Sequence, residues 1–112
     1  MAMVTYNTAR DIPLRRQEGD TSDLTVIVPS LLDMGGTTVR FQVRDIAGRL
    51  VMDKGTGDGS VSVEGQTIYI PFLPSDTKRR GGVHRWELEV TIAGNVYTIA
   101  RGPFEIVKEL IP

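Results

Sequence analysis

Apolar and polar residues alternate along several short stretches of the chain. The clearest stretch runs from Thr37 to Arg44, where apolar residues hold one parity and hydroxyl, amide or basic residues hold the other. A period of two is typical of a β-strand with one buried face and one wet face. The apolar positions, which we expect to lie in the core as part of a central strand, are Val39, Phe41 and Val43.

A longer stretch, from Val83 to Val107, predicts a β-hairpin on which the rest of the fold depends. One parity of its first half includes Trp86 and the apolar residues that follow it, and the other parity is largely charged. Gly94 and Asn95 supply the turn, because glycine adopts a positive φ without a steric penalty. A two-stranded hairpin is marginal in water, so we expect Trp86 to bury its side chain against further strands.

The register of this hairpin has two interpretations. A two-residue turn pairs Ile92 with Tyr97, and it then requires a bulge at Gly102-Pro103 to return Phe104 to the buried face. A three-residue loop over residues 93–95 needs no bulge, but it turns Tyr97 outward. We prefer the bulge, because the three-residue loop exposes large apolar side chains.

Turn-forming residues separate the predicted strands. Asp45 and Gly48 stand first and fourth in a segment typical of a type I turn that a left-handed glycine closes. Residues 73–77, which read Leu-Pro-Ser-Asp-Thr, fit a single helical turn, because serine and aspartate bond to free amides at a helix start. Residues 55–59 contain three glycines, which predict an exposed mobile loop without regular structure.

Shorter alternating segments predict the remaining strands. Leu24, Val26 and Val28 share one side of a strand, and we expect Ile27, on the other side, to lie under a loop. A second hairpin turns at Glu64-Gly65, and we expect its Val61 to face Ile68 across the two strands.

These elements together predict an all-β fold. Seven or eight short strands joined by tight turns, without a sustained helical period, are typical of an immunoglobulin-like antiparallel two-sheet sandwich. A small barrel is the alternative. The 112 residues, of which 40% are hydrophobic, suffice for one core. We therefore expect an N-terminal arm with a possible edge strand over residues 1–16, and a single β-sandwich domain over residues 17–112.

Composition narrows the role of the protein. The chain has no cysteine, which excludes disulfides and thiolate metal sites. A formal net charge of -1 supplies no overall field that would attract nucleic acid or an anionic membrane. The sequence contains neither an apolar run long enough to span a bilayer nor the apolar core of a signal peptide. We expect no nucleic-acid partner and no membrane partner.

Few residues offer catalytic or ligand chemistry. His84 is the only histidine, and no motif supplies the nucleophile or carboxylate that a catalytic base needs, so we expect a packing role. Asp53 and Asp58 lie near glycines, but the remaining ligands of a calcium loop are missing. The basic run at residues 78–80 is typical of a solvated loop tip. We expect no enzymatic activity, no metal and no cofactor.

Charged side chains on two predicted strands suggest cross-strand pairing. If these strands are neighbours, opposite charges on their outer faces pair with one another. The residues concerned are Arg40, Gln42 and Arg44 on one strand, and Arg85, Glu87 and Glu89 on the other.

The N-terminal arm is the candidate protein-contact site. Its apolar residues Tyr6, Ile12 and Leu14 would be poorly buried by their own chain, so we expect them to add to the sheet edge of another subunit. Pro13 suits an edge strand, because the missing N–H group then faces outward.

Several segments resemble the N-terminal β-sandwich domain of phage baseplate upper proteins and related small tail proteins. The main resemblance lies in residues 38–45, followed by Gly48, Leu50-Val51 and Asp53-Lys54. Three further segments share it, namely residues 17–21, residues 73–77 with 82–90, and residues 102–107. The loop at residues 55–59 is shorter and richer in glycine than the loop of that family.

The resemblance implies a non-enzymatic structural protein of a phage or prophage tail. Its partners would be other tail or baseplate proteins and further copies of itself in a homo-oligomer. It would reside in the virion tail, and in the bacterial cytoplasm during assembly. The alternative function is a bacterial immunoglobulin-like module that binds carbohydrate or a surface, for which exposed aromatic residues in a row would be needed.

Overall fold

The computed structural model describes residues 10–21, 23–28 and 37–108 of the chain. These residues contain nine strands and one helical turn. A 3₁₀ turn, Thr56–Asp58, follows the fifth strand. The strands and the helical turn are β1 (Arg10–Asp11), β2 (Leu14–Gln17), β3 (Leu24–Ile27), β4 (Thr38–Arg44), β5 (Leu50–Gly55), β6 (Ser62–Glu64), β7 (Thr67–Ile70), α1 (Pro74–Thr77), β8 (Gly82–Ile92) and β9 (Asn95–Val107).

The strands form two sheets that enclose one core. The large sheet has the order β1-β9-β8-β4-β5, with β2 also paired to β9, and the small sheet has the order β3-β7-β6. The predicted all-β two-sheet sandwich is confirmed. Its first two strands depart from the antiparallel pattern, because β1 and β2 run parallel to β9.

Aromatic side chains fill the space between the sheets. Phe41 on β4 lies 5.8 Å from Trp86 and 5.9 Å from Phe72, measured between ring centroids. Phe104 lies 6.0 Å from Phe72. All four side chains are buried, which confirms that Trp86 belongs to the core. β4 is an inner strand, flanked by β8 and β5. Burial of each such side chain contributes roughly 1.5–3 kcal/mol, before the entropic cost of ordering it.

The β8–β9 hairpin has a register that differs from the predicted one. Ile92 pairs with Asn95 rather than with Tyr97. The turn is a two-residue loop, Ala93-Gly94, in which both residues have positive φ values of 51° and 83°. This is the backbone of a type I′ turn, whose twist matches that of the flanking strands. The prediction failed because alanine is an unusual residue at a positive φ.

The bulge that the pattern requires lies nearer the turn than we predicted. Leu88 pairs with Ala100 and Glu89 pairs with Thr98, which leaves Ile99 as the extra residue on β9. The expected bulge at Gly102-Pro103 is therefore wrong in position, although one bulge does change the face that β9 presents to the core. Beyond it, the residues with the parity of Ala100 are buried through the end of the strand.

Smaller features were predicted with mixed success. Gly48 has a φ of 84°, and its N–H donates to the carbonyl of Asp45 at 2.9 Å, which confirms the type I turn. The helical turn α1 is also confirmed. Residues 55–59 contain the end of β5 and the 3₁₀ turn, so the absence of regular structure was wrong.

Two predictions about side chains of the small sheet were also wrong. Val63, and not Val61, pairs with Ile68. Ile27 is 77% exposed rather than covered by a loop.

A buried ion pair joins the large sheet to α1. Lys54 lies opposite Phe41 on the inner side of β5, and its Nζ is 2.7 Å from a carboxylate oxygen of Asp76. The same carboxylate accepts the N–H of Leu73 at the start of α1, at 2.6 Å. Lys54 is 7% exposed. One carboxylate therefore compensates a buried ammonium group and caps a helical turn.

The link between β1 and β2 crosses β9 at Gly102. A Cβ atom at Gly102 would lie 2.3 Å from the carbonyl oxygen of Ile12, and the φ of Gly102 is 155°. Neither the space nor the backbone conformation suits another residue. Glycine here allows the N-terminal strands to approach the sheet.

We expect Gly102→Ala to lower the free energy of unfolding by about 1–3 kcal/mol, because the new methyl group meets main-chain atoms that cannot rotate away. Gly57→Ala is the matched control, since a Cβ atom at Gly57 meets nothing within 4 Å. Urea unfolding of both variants checks the expectation. Equal stabilities of the two variants would show that the crossing is not tightly packed.

Candidate interaction surfaces

The N-terminal strands pack on their own chain. Leu14 pairs with Phe104 in the parallel β2–β9 register, and its partly buried side chain packs against the core. The expectation that Leu14 is poorly buried by its own chain is therefore wrong, because β9 offers β2 an edge and the core offers the leucine a contact. Whether this segment also contacts another subunit stays a prediction.

Ile12 is held by its backbone while its side chain remains accessible. Its N–H donates to the carbonyl of Arg101 at 2.8 Å, and its carbonyl accepts the indole N–H of Trp86 at 2.9 Å. The side chain is 38% exposed. Tyr6, the third predicted contact residue, lies outside the described residues. Of the three, Ile12 alone is shown with an exposed side chain.

The outer face of the large sheet carries most of the charged side chains that we predicted to pair. β4 and β8 are neighbours, and Arg40 stands opposite Glu89. The ion pair of Arg40 is nevertheless formed with Asp53 on β5, at 3.0 Å. The side-chain hydrogen bond between them lowers the pKa of Asp53 and raises the pKa of Arg40. The predicted pairing across β4 and β8 is therefore replaced, for Arg40, by pairing across β4 and β5.

The two aspartates that we considered as calcium ligands are bound to neighbouring side chains. Asp53 pairs with Arg40, and Asp58 accepts a hydrogen bond from the hydroxyl of Ser60, which lowers the pKa of Asp58. Within residues 10–21, 23–28 and 37–108, no group of three or more histidine, cysteine, aspartate or glutamate residues is placed to hold a metal ion.

His84 has one defined hydrogen bond. Its Nε2 lies 2.6 Å from the carbonyl of Arg80, and a carbonyl only accepts, so the ring proton of the neutral form lies on Nε2. Nδ1 is buried and has no hydrogen-bond partner among the described residues. The ring packs at the start of β8, where it fixes the end of the basic loop at residues 78–80.

A groove of about 490 Å³ lies on the outer face, between the β4–β5 turn and the start of β8. Arg44 and Arg85 both line it, and they stand directly opposite one another on β4 and β8. Like charges in this position repel. Arg44 donates to the carbonyl of Gly48 at 3.0 Å, and Arg85 makes no ion pair or hydrogen bond with any residue that the structure describes.

Exposed aliphatic residues surround these two arginines. Ile46, at the tip of the turn, is 97% exposed, and Val83 lines the groove on β8. Leu50 pairs with Arg44 on the β5 side and is also exposed. We call the set Arg44, Arg85, Ile46, Leu50 and Val83 the arginine patch.

Among the described residues, neither of the two neighbouring acids forms an ion pair with Arg44 or Arg85. Asp45 binds Arg49 at 2.9 Å. Glu87, one row away from the opposed arginines, stands opposite Arg101. An exposed apolar surface around unmatched arginines has the composition of a protein interface. Sequence reasoning missed the patch, because it expected these side chains to be paired within the sheet.

The outer face of the small sheet has the opposite character. Thr25 and Ile27 on β3 and Glu64 on β6 are exposed, and so is Asp23 just before β3. Among the described residues, neither Asp23 nor Glu64 forms an ion pair. We call Asp23, Ile27 and Glu64 the acidic face.

Comparisons with known proteins do not assign the chain to a family. No family model and no curated protein matches the sequence. Among solved structures, CopC from Methylosinus trichosporium OB3b is similar, with 11% sequence identity and a TM-score of 0.49. The match covers 91% of this chain and 87% of that chain. In the described part of the chain, no helix has the length and apolar character that crossing a membrane requires.

Proposed function

We propose that this protein is a non-enzymatic assembly module of a phage or prophage tail, of the baseplate type, and that it acts through protein–protein contacts. The tail assignment rests on the sequence resemblance at residues 38–45, at 73–77 with 82–90, and at 102–107. The contact assignment rests on one observation above all, the arginine patch. Within it, Ile46 is 97% exposed, and Arg85 makes no ion pair or hydrogen bond with a described residue.

Purified tail particles test the tail assignment. Particles from an induced culture of the source bacterium should contain the chain in a fixed ratio to the other tail proteins, as measured by mass spectrometry. Tail and capsid genes next to its own gene would add support. If a culture expresses the chain but its particles lack it, the assignment is wrong.

Deletion of residues 1–9, rather than of the whole arm at residues 1–16, tests the contact predicted for the N-terminal arm. Removal of residues 1–9 keeps β1 and β2, whereas removal of residues 1–16 would strip Leu14 from the core. If the shorter deletion changes neither the mass in solution nor the binding of tail proteins, Tyr6 has no role in assembly.

A carbohydrate-binding module is the less supported alternative. Such modules present exposed aromatic rings to sugars, whereas Trp86 and all three phenylalanines are buried here. Tyr69 and Tyr97 are partly buried and lie on different sheets. A glycan array without hits would dispose of this alternative.

A further inference from the structure

The small net charge of the chain hides a strong separation of charge. Residues 18–39 and 56–77 contain seven acidic residues and no lysine or arginine. All thirteen lysines and arginines lie in the rest of the chain, which also has seven acidic residues. The two acidic segments include every strand of the small sheet. The three strands of the small sheet therefore carry no basic residue, and every lysine and arginine among the described residues lies outside them.

The two surfaces defined above lie on different sheets and carry opposite charges. The acidic face carries Asp23 and Glu64, whose carboxylates form no ion pair with a described residue, together with the exposed Ile27. The guanidinium of Arg16 lies beside the main chain of Asp23, 3.5 Å from its carbonyl oxygen. The arginine patch carries two opposed arginines and exposed aliphatic residues. Because these surfaces lie on the outer faces of different sheets, they point away from each other and cannot meet within one molecule.

The spacing of the two surfaces also matches. Ile27 and Glu64 both pair with Thr67, so they stand in one row, two strand spacings or roughly 10 Å apart. Leu50 and Arg85 both pair with Arg44, so they also stand two strand spacings apart. An aliphatic side chain and a charge of opposite sign are thus separated by the same distance on both surfaces.

We infer that the partner of the arginine patch is a second copy of this chain, which docks through its acidic face. Glu64 of one copy lies against Arg85 of the next, with Ile27 against the aliphatic residues around Leu50. Since the two surfaces differ, the contact is head-to-tail, and repetition produces a ring or a filament rather than a two-fold dimer. The inference rests on the protein-contact part of the proposed function and does not require the tail assignment.

Sedimentation velocity over a range of protein and salt concentrations tests the association. The wild-type chain should self-associate at low salt, and the association should weaken by at least about tenfold at high salt, because the contact pairs exposed charges. A wild-type chain that is monomeric at about 1 mM would overturn the proposal.

Two charge-reversal variants test the head-to-tail geometry. R44E/R85E removes the basic surface, and D23K/E64K removes the acidic one, so each variant alone should be monomeric. Each keeps one intact surface, and the two reversed surfaces are again opposite in sign, so an equimolar mixture should recover the head-to-tail association that neither variant shows alone. Circular dichroism and thermal unfolding establish that both variants are folded.

K78E/R79E is the matched control, because it makes the same change of charge on an exposed loop outside both surfaces. It should associate as the wild type does. The proposal is wrong if either charge-reversal variant still associates like the wild type, if the mixture does not associate, or if the control also becomes monomeric. Absence of the chain from tail particles would instead contradict the tail assignment alone.

Discussion

Asp76→Ala should lower the free energy of unfolding by about 3–5 kcal/mol, because it leaves the ammonium group of Lys54 buried without a counter-charge. The ammonium is enclosed between β5 and α1, 2.7 Å from the carboxylate that the substitution removes. The variant also loses the bond from the N–H of Leu73 that fixes the start of α1. Urea unfolding followed by circular dichroism measures the loss.

Lys54→Met separates the two roles of the carboxylate. This variant removes the buried charge and keeps the cap at Leu73, and it replaces the lysine stem with an apolar side chain of similar length. It should lose less stability than Asp76→Ala, because the carboxylate left without a counter-charge is more exposed, 17% against 8% for the lysine side chain, and still accepts the N–H of Leu73. K54M/D76A should recover most of the stability that Asp76→Ala loses. A double variant as unstable as Asp76→Ala would show that the cap, rather than the ion pair, matters.

Trp86→Ala should also cost about 3–5 kcal/mol, because it empties the largest side-chain volume in the core. The indole lies 5.8 Å from the ring of Phe41 and donates its N–H to the carbonyl of Ile12. The substitution therefore removes both a core contact and an anchor for β1. Unfolding must be followed by circular dichroism, since Trp86 is the only tryptophan.

Trp86→Phe distinguishes the packing from the hydrogen bond. It keeps an aromatic ring but leaves the carbonyl of Ile12 without its donor, at a cost of about 1–3 kcal/mol. Hydrogen exchange at the amide of Ile12 should accelerate more than exchange on β4, if the indole anchors the N-terminal strands. Equal acceleration at both places would mean that Trp86 acts only through global stability.

The sequence was sufficient for features that depend on alternation and on turn residues. The strict period of two around Phe41 predicted β4, and the parity of Trp86 predicted its burial. Asp45 and Gly48 predicted their turn, because a side-chain acceptor and a residue that tolerates a positive φ are a local requirement. Each of these signals needs only neighbouring residues.

Features that depend on residues distant in the chain were not predictable in the same way. The bulge at Ile99 lies opposite Leu88, and nothing in the residues around Ile99 marks its position. Lys54 points inward because Asp76 lies there to receive it, although a charged residue reads as an outer position. The pattern also gave no indication that β1 and β2 run parallel to β9.

The features of the candidate surfaces were also only partly predictable from the sequence. The sequence supplied the charged residues of β4 and β8 but left open whether those strands are neighbours. It did not supply the partner of Arg40, because Asp53 competes for that arginine from β5. The sequence also did not indicate that Arg44 and Arg85 stand opposite one another, because this depends on the register of β4 and β8.

The pairing of β1 and β2 with β9 has a consequence for synthesis. Residues 10–17 are synthesised before the other described strands, yet the strand that receives them, Asn95–Val107, is synthesised after all of those strands. Until β9 emerges, Leu14 has no partner on its own chain, and the ring of Trp86 has no Ile12 carbonyl to bond. Closing such a long loop is slow compared with forming a local hairpin. During translation, the N-terminal segment is therefore the part of the nascent protein that chaperones or neighbouring chains meet in an unpaired state.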